Sequence, residues 1–420
     1  MRYSITAIFF ITMVMLIGRA NSESYANQSN LNQDWSEATL LADAGISPKL
    51  TTDGQGQLLL AYINQNDGQA NPYYRVSTDN GIEWSEPAPI FVSSNNALRS
   101  VQIDVTYHDN VGHAVWVEDE SKILYSRENN WATNGAISLS EPDDDLIILD
   151  KPAIIGNGPG RLDVIWAEGA GGNPSIYHKF SLDNGQTWPD VHKNVVATTS
   201  PSSTSPAFVA DHNGELYVVW SERDRPGGLS SIWYAEGTAA GTTVSWSTAV
   251  RISDTSLRDA TSPYVLLYNG VVNVFFTYRE ADDQQYLNRI TCANNCTVGS
   301  SSWNQQGNPI SNLMEVNTQD PFNMASTAVV QQGCLYTSFH GISTSFNPDN
   351  ELIWSMSNCT SWTQQLVTVT NERSLFPTLA AEGQWLYLAY ETGQSSAERQ
   401  IAFRRTRVET RLYLPITLKN

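Results

Sequence analysis

The chain has 420 residues, and its acidic residues outnumber the basic ones enough to give a formal net charge of −19. This balance, together with the absence of any run of Lys or Arg, argues against nucleic acid and anionic membrane surfaces as partners. The 13 Trp and 18 Tyr are typical of strand-rich proteins and also suit stacking against sugar rings.

The N-terminus has the features of a secretory signal peptide. Arg2 supplies a positive charge, Ile5–Ile17 form a short apolar segment, and cleavage after Ala20 or after Ala26 fits the small residues that follow. We therefore assign residues 1–26 to a signal peptide. The mature chain is expected to be secreted and to contain no membrane span.

Two series of aromatic residues recur along the mature chain at intervals of about 50–60 residues. The first series ends the second strand of each predicted repeat and consists of Tyr62, Trp116, Trp166, Trp220, Tyr278, Phe339 and Tyr390. The second closes a hairpin in each repeat and consists of Trp35, Trp84, Trp131, Trp188, Trp246, Trp303 and Trp362. Seven members in each series predict an all-β, seven-bladed β-propeller with four-stranded antiparallel blades. A six-bladed ring, which would leave out one repeat, is the alternative.

The two series are out of phase, and this offset predicts how the ring closes. Trp35 precedes the first repeat and no Trp follows Tyr390, so the last repeat lacks an outer strand. The segment from Trp35 to Leu41 is predicted to supply that strand, which pairs the two ends of the chain in one blade. The tail 411–420 also has a strand pattern and is the alternative. We assign 27–410 to the propeller and 411–420 to a C-terminal tail.

One hairpin pattern, Ser-x-Asp-x-Gly-x-x-Trp, occurs twice in full. The two copies are Ser77, Asp79, Gly81 and Trp84, and Ser181, Asp183, Gly185 and Trp188. Asp hydrogen-bonds neighbouring backbone groups, Gly adopts the positive φ that a tight turn needs, and Trp covers the turn. This pattern predicts a structural β-hairpin in each copy.

The spacing resembles the Asp-box, or BNR repeat, of the sialidase-like β-propellers. In that family the box stabilises the fold and lies far from the active face, so the resemblance implies a structural role for both copies. The family also uses three arginines to bind the sialic acid carboxylate, the first of them in an Arg-Ile-Pro motif. Here the corresponding stretch Ile46-Ser47-Pro48 keeps the Pro but lacks the Arg.

The four cysteines are predicted to form two disulfides, as expected of a secreted chain. Cys334 and Cys359 lie on two adjacent strands and have the same index sum as His340 and Ile353, so they would face each other across an antiparallel pair. Cys292 and Cys296 are close together in sequence and would close a small local loop. We therefore predict Cys292–Cys296 and Cys334–Cys359.

In a propeller, the segments that lead into the innermost strands and the loops that join second to third strands lie on one face. Four glutamates follow the second-strand aromatic by two residues: Glu118, Glu168, Glu222 and Glu280. Three arginines lie where innermost strands begin: Arg99, Arg258 and Arg373. A carboxylate pair suits glycosidic hydrolysis, and arginine binds a carboxylate bidentately. For each of these residues, a structural pairing with neighbouring groups is the alternative.

These observations predict a secreted, sialidase-like propeller that acts on or binds extracellular glycans, with an exo-sialidase or another glycoside hydrolase as its enzymatic form. A non-catalytic, lectin-like or adhesin-like propeller is one alternative. A polysaccharide lyase-like propeller is the other, with His340 as the residue of interest. We expect a monomer without a cofactor. We also expect no metal, because the six histidines show no paired ligand spacing.

Overall fold

A computed structural model of the chain describes residues 34–66, 70–93, 100–119, 121–131, 133–140, 147–170, 173–197, 202–253, 259–279, 285–305, 326–343, 347–358, 362–368, 372–394 and 398–408. Within these ranges no helix has the length and apolarity needed to cross a lipid bilayer. The predicted signal peptide and the tail 411–420 lie outside the described residues.

The described residues form 29 strands, one short α-helix, α1 (Glu128–Trp131), and three 3-10 helices of one turn each, Asp190–His192, Cys296–Val298 and Ser300–Ser302. The strands are β1 (Thr39–Ala42), β2 (Gly45–Thr52), β3 (Leu58–Asn64), β4 (Asn71–Ser77), β5 (Ala88–Pro89), β6 (Ser100–His108), β7 (Val111–Glu118), β8 (Lys122–Arg127), β9 (Ile137–Ser138), β10 (Ile147–Gly156), β11 (Leu162–Ala170), β12 (Ser175–Ser181), β13 (Lys193–Ala197), β14 (Ser203–Ala210), β15 (Leu216–Arg225), β16 (Leu229–Ala240), β17 (Thr243–Trp246), β18 (Val250–Arg251), β19 (Asp259–Tyr268), β20 (Val271–Arg279), β21 (Gln285–Cys292), β22 (Asn304–Gln305), β23 (Ser326–Gln331), β24 (Cys334–Ser343), β25 (Asn347–Asn358), β26 (Trp362–Leu366), β27 (Arg373–Glu382), β28 (Trp385–Gly393) and β29 (Gln400–Arg407).

These strands form seven antiparallel sheets, which we number as blades. Blades 1, 2 and 3 are β2–β5, β6–β9 and β10–β13; blade 4 is β14–β17 with β18 paired to β16; blades 5 and 6 are β19–β22 and β23–β26; blade 7 is β27–β29 completed by β1. The first strand of each blade contacts the first strand of the next blade all the way round the ring. The seven-bladed prediction is confirmed, and the six-bladed alternative is wrong.

The apolar core lies between neighbouring blades. The seven second-strand aromatics that define the repeat are all buried, and they pack against the preceding blade. Trp116, for example, packs against Leu59 and Ala61 of blade 1, and Trp166 packs against Val115 and Val117 of blade 2. Burying such large rings stabilises each interface by several kcal/mol, on the order of 2–3 per ring. The aromatic spacing therefore reports the spacing of blade interfaces.

The ring closes through the N-terminal segment, as the offset of the two aromatic series predicted. Strand β1 pairs with β29, with Thr39 opposite Phe403 and Leu40 opposite Ala402. Upstream of β1, the N–H of Ser36 donates to the carbonyl of Arg405. The outer position of blade 7 is thus occupied by the N-terminal strand, and the alternative, in which the C-terminal tail takes that position, is wrong.

The two Ser-x-Asp-x-Gly-x-x-Trp segments form turns between the third and fourth strands of blades 1 and 3. In the first, Asp79 Oδ1 accepts the N–H groups of Ile82 and Glu83 at 2.9 and 3.0 Å, and Ser77 Oγ accepts the N–H of Gly81 at 2.9 Å. Each turn packs on the preceding blade, since Trp84 meets Phe403 edge-on with ring centroids 5.1 Å apart. We call the end of the ring that carries these turns the base face.

A disulfide joins Cys292 to Cys296 in blade 5, next to the outer tryptophan of that blade, as the sequence predicted. The indole of Trp303 donates to the carbonyl of Cys296 at 3.0 Å, so the small loop helps to hold this ring in place. Cys334 is also disulfide-bonded, while Cys359 lies outside the described residues. The predicted pairing of His340 with Ile353 is confirmed.

Candidate functional site

The end of the ring opposite the base face is where first strands begin and second strands end. We call it the mouth face. Its strand ends are aligned by register: Glu118 lies opposite Ser100 on one side and Lys122 on the other, and Glu222 lies opposite Ser203 and Ser231. Glu168 occupies the equivalent position in blade 3. Three of the four predicted glutamates therefore lie on the mouth face, and Glu280 lies outside the described residues.

The three glutamates share one local contact. The indole N–H of the tryptophan two residues earlier donates to Oε2 of each Glu, at 3.1 Å for Glu118, 2.6 Å for Glu168 and 3.0 Å for Glu222. Residues two apart on a strand share a face, which is why Trp-x-Glu brings these groups together. Lys193 Nζ also lies 3.2 Å from Glu168 Oε1. This geometry agrees with the structural alternative for these positions.

Of the three predicted arginines, Arg373 is the one that the structure describes; Arg99 and Arg258 lie outside the described residues. Arg373 is the first residue of β27 and is half-buried on the mouth face, opposite Gly393. Its neighbour Glu372 accepts a hydrogen bond from the hydroxyl of Thr392 at 3.3 Å. Blade 7 thus presents a cation and a carboxylate at the start of its innermost strand.

His340 lies close to Arg373, at the junction of blades 6 and 7. It is buried, and its Nδ1 accepts the backbone N–H of Phe376 at 3.2 Å. Burial, helped by the positive charge of Arg373, lowers the pKa of His340 to about 3. The ring is therefore neutral at physiological pH, and because Nδ1 is an acceptor its proton is on Nε2.

The next junction, between blades 7 and 1, is held by a buried carboxylate. Glu391 Oε1 accepts the backbone N–H of Ser47 at 2.7 Å, and Arg399 Nη1 lies 3.3 Å from Glu391 Oε2. Glu391 is not among the predicted glutamates, because it follows Tyr390 by one residue and not by two. Residues one and two positions after the aromatic point to opposite blades.

A recurring bulge explains why these side chains meet backbone groups of the next blade. Several innermost strands have a register shift near their start, where a residue with positive φ precedes a proline. These residues are Ser47, Lys151, Ser205, Ser262 and Phe376. A bulge leaves a backbone N–H outside the ladder. The preceding blade accepts it at four of these positions, through Glu391, Gln102, Ser221 and His340.

Below the bulges, three polar side chains lie on the innermost strands at positions that the sequence did not predict as functional. Lys49, Asp104 and Tyr264 occupy equivalent positions on the innermost strands of blades 1, 2 and 5 and are half-buried. Burial raises the pKa of Asp104, an effect that the positive charge of Lys49 opposes. The proline that precedes Lys49 and Tyr264 was a signal in the sequence, because it marks the bulge near the start of the innermost strand.

Within the described ranges, no group of three or more His, Cys, Asp or Glu side chains is arranged to hold a metal ion. The polar groups of the mouth face, which are carboxylates, arginines and backbone-bonded hydroxyls, are instead suited to hydrogen bonding with an organic ligand.

No protein-family model matches this sequence, and no curated protein is similar to it. Among solved structures, the chain is similar to a protein of unknown function from Dyadobacter fermentans, with a TM-score of 0.50 and 14% identity over 89% of this chain and 99% of that one. It is also similar to the phage phi92 endosialidase, with a TM-score of 0.50 and 11% identity over 91% of this chain and 70% of that one. At these identities the likeness shows a shared β-propeller fold.

Proposed function

We propose that this chain is a secreted protein that recognises an extracellular glycan on its mouth face. The observation that carries the proposal is the grouping of Arg373, His340, Glu372 and Glu391 at neighbouring blade junctions of that face. The similarity in fold to an endosialidase supports it by analogy. The predicted signal peptide and the disulfides are consistent with an extracellular location.

Arg373 is the residue that we propose to contact an acidic or hydroxyl-rich sugar. Its guanidinium is half-buried at the mouth, where partial exclusion of water strengthens a charge-assisted hydrogen bond. His340 is neutral and hydrogen-bonded to the backbone, so it supports the strand that carries Arg373 and does not compete for an anion.

Replacing Arg373 by alanine should lower affinity for the bound glycan by about tenfold to a hundredfold, the loss of one charge-assisted hydrogen bond. The measurement is a glycan array probed with residues 27–420, followed by titration of the best ligand. Arg407→Ala is the matched control, because Arg407 is exposed at the base-face end of β29 and bonds Gln384 there. Equal affinities for the two variants, or a blank array at millimolar ligand, would contradict the proposal.

Hydrolysis is the enzymatic form of the same proposal, with Glu118, Glu168, Glu222 and Glu280 as candidate acid, base or nucleophile and Arg99, Arg258 and Arg373 as candidate substrate-binding groups. Because Glu118 and Glu222 are almost fully buried and one oxygen of each described Glu accepts an indole N–H, the geometry favours binding without turnover. We therefore expect no product from a fluorogenic sialoside. Turnover that Arg373→Ala abolishes would establish the hydrolase form instead.

The lyase-like alternative is less well supported. A general base needs an unprotonated nitrogen that faces the substrate. Nδ1 of His340 is occupied by the N–H of Phe376, and Nε2 carries the proton, so this ring is a hydrogen-bond donor.

A further inference from the structure

One ring of equivalent positions runs round the channel just below the bulges. In every blade, one residue of the innermost strand pairs with the second-strand residue that comes just before a buried aromatic; in blade 5 this aromatic is Phe276 and not Tyr278. These residues are Lys49, Asp104, Ala153, Ala207, Tyr264, Thr327 and Thr378. We call this set the channel ring.

Four members of the channel ring hydrogen-bond the innermost strand of the next blade. Asp104 Oδ2 accepts the N–H of Ile154 at 3.0 Å, and Tyr264 donates its hydroxyl to the carbonyl of Ala328 at 3.1 Å. Thr327 and Thr378 accept the N–H groups of the next blade's strand at 3.4 and 3.3 Å. The common function of the position is therefore to satisfy backbone groups that face the channel.

Lys49 departs from this pattern. It is half-buried in the channel, and within the part of the chain that the structure describes its ammonium donates no hydrogen bond. Its charge acts on Asp104 in the neighbouring blade. Ala153 and Ala207, further round the ring, have methyl side chains that pack against the apolar clusters between the blades. The polar part of the channel ring thus includes an ammonium without a hydrogen bond to the described residues and a carboxyl group with remaining acceptor capacity.

We propose that the channel ring is a subsite for one uncharged, hydroxyl-bearing sugar unit, with Lys49 donating to a hydroxyl oxygen and Asp104 accepting a hydroxyl proton. Opposite charges on the two side chains compensate each other, so an uncharged group that both accepts and donates fits between them better than an anion does. This inference rests on the proposed glycan-binding function and deepens it.

The position of the subsite also selects which part of a glycan binds. The seven innermost strands surround the channel, so an internal segment of a polysaccharide would have to thread through the ring to reach Lys49. The end of a chain can enter from the mouth face without threading. The subsite therefore specifies a terminal sugar, with the rest of the glycan lying across the mouth towards Arg373.

The test is the binding of free arabinose, galactose, glucose and glucuronate to the intact mature protein, measured by saturation-transfer NMR and titration. Lys49→Met and Asp104→Asn keep side-chain size, and the asparagine can still accept the N–H of Ile154. Each should weaken binding of the preferred neutral sugar at least tenfold. Lys122→Met is the control, because Lys122 is exposed on the mouth face outside the channel, and it should change affinity less than twofold.

Preference for glucuronate over all neutral sugars, or unchanged affinity in both channel variants, would overturn the inference. If the variants still bind glycans on the array as strongly as the wild type, the subsite is wrong while the proposed function stands. If the wild type binds no glycan and no free sugar, the proposed function itself fails and the subsite falls with it.

Discussion

Replacing Asp163 by alanine should lower the free energy of unfolding by about 3–5 kcal/mol, the cost of leaving buried charged partners uncompensated. The carboxylate is fully buried between blades 3 and 4. Arg161 donates to both of its oxygens at 2.8 Å, and His178 Nε2 donates to Oδ1 at 2.7 Å. Asn157 links the group to the carbonyl of Gly214 in blade 4. Urea denaturation followed by tryptophan fluorescence measures the effect.

Asp190→Ala is the control for this prediction. Asp190 also forms an ion pair, with Lys179 Nζ at 2.9 Å, but its carboxylate is solvent-exposed. Lys179 itself is buried, but water can take the place of this exposed carboxylate at its ammonium, so the urea midpoint should change much less than in Asp163→Ala. Equal destabilisation by the two substitutions would show that the buried cluster does not hold blades 3 and 4 together.

The same cluster predicts how stability depends on pH. Burial alone would raise the pKa of Asp163, but the hydrogen bonds from Arg161 and His178 outweigh it and lower the pKa to about 2. The unfolded value is about 3.9. The stabilisation, about 2–3 kcal/mol, is therefore complete above about pH 5 and is lost as pH falls through about 4 to about 2. In Asp163→Asn, this part of the acid-induced loss should be absent.

Replacing Gly185 by alanine should cost about 2–5 kcal/mol of stability. Its φ is +75°, which strains a residue with a Cβ by about 1–2 kcal/mol. In addition, the new Cβ would lie 1.7 Å from the hydroxyl of Tyr125 in the preceding blade, and overpacking of this kind costs about 1–3 kcal/mol. The shift in urea midpoint, with the slope unchanged, measures the effect.

Gly158→Ala separates the two contributions. Gly158 has a φ of +84°, and a Cβ there would meet no atom within 4 Å. It should therefore cost only the backbone strain, about 1–2 kcal/mol. If Gly158→Ala is as destabilising as Gly185→Ala, the contact between the turn and blade 2 is not what stabilises this junction.

The fold could be predicted from the sequence because each repeat buries one large aromatic ring at a blade interface, and this burial is a large contribution to stability. Each blade interface needs a large buried ring at the end of a second strand, so Tyr62, Trp116 and their equivalents mark the blades directly. Ring closure could be predicted from the second aromatic series. Trp35 is the outer tryptophan of blade 7, whose other three strands lie at the C-terminal end of the propeller sequence. The register of β24 and β25 could also be predicted, because the index numbers of paired residues in an antiparallel ladder have a constant sum, as those of His340 and Ile353 do.

The candidate site was less predictable, because its contacts join residues that no local pattern connects. Glu391 bonds Ser47 across the ring closure, 344 residues away in sequence, and the bulge that directs this N–H outwards depends on backbone conformation. Sequence spacing selected Glu118, Glu168 and Glu222, whose carboxylates accept an N–H within their own strand. Lys49 and Asp104 belong to different blades, and only the strand register brings them together.

The most direct test of the proposed binding face is a crystal structure of the mature protein with the strongest ligand from the glycan array. We predict electron density for the sugar on the mouth face, with a polar atom of the ligand within 3.2 Å of the guanidinium of Arg373 and the terminal unit in the channel beside Lys49. Density on the base face, against the two Ser-x-Asp-x-Gly-x-x-Trp turns or along the outer strands, would contradict the assignment of the functional face.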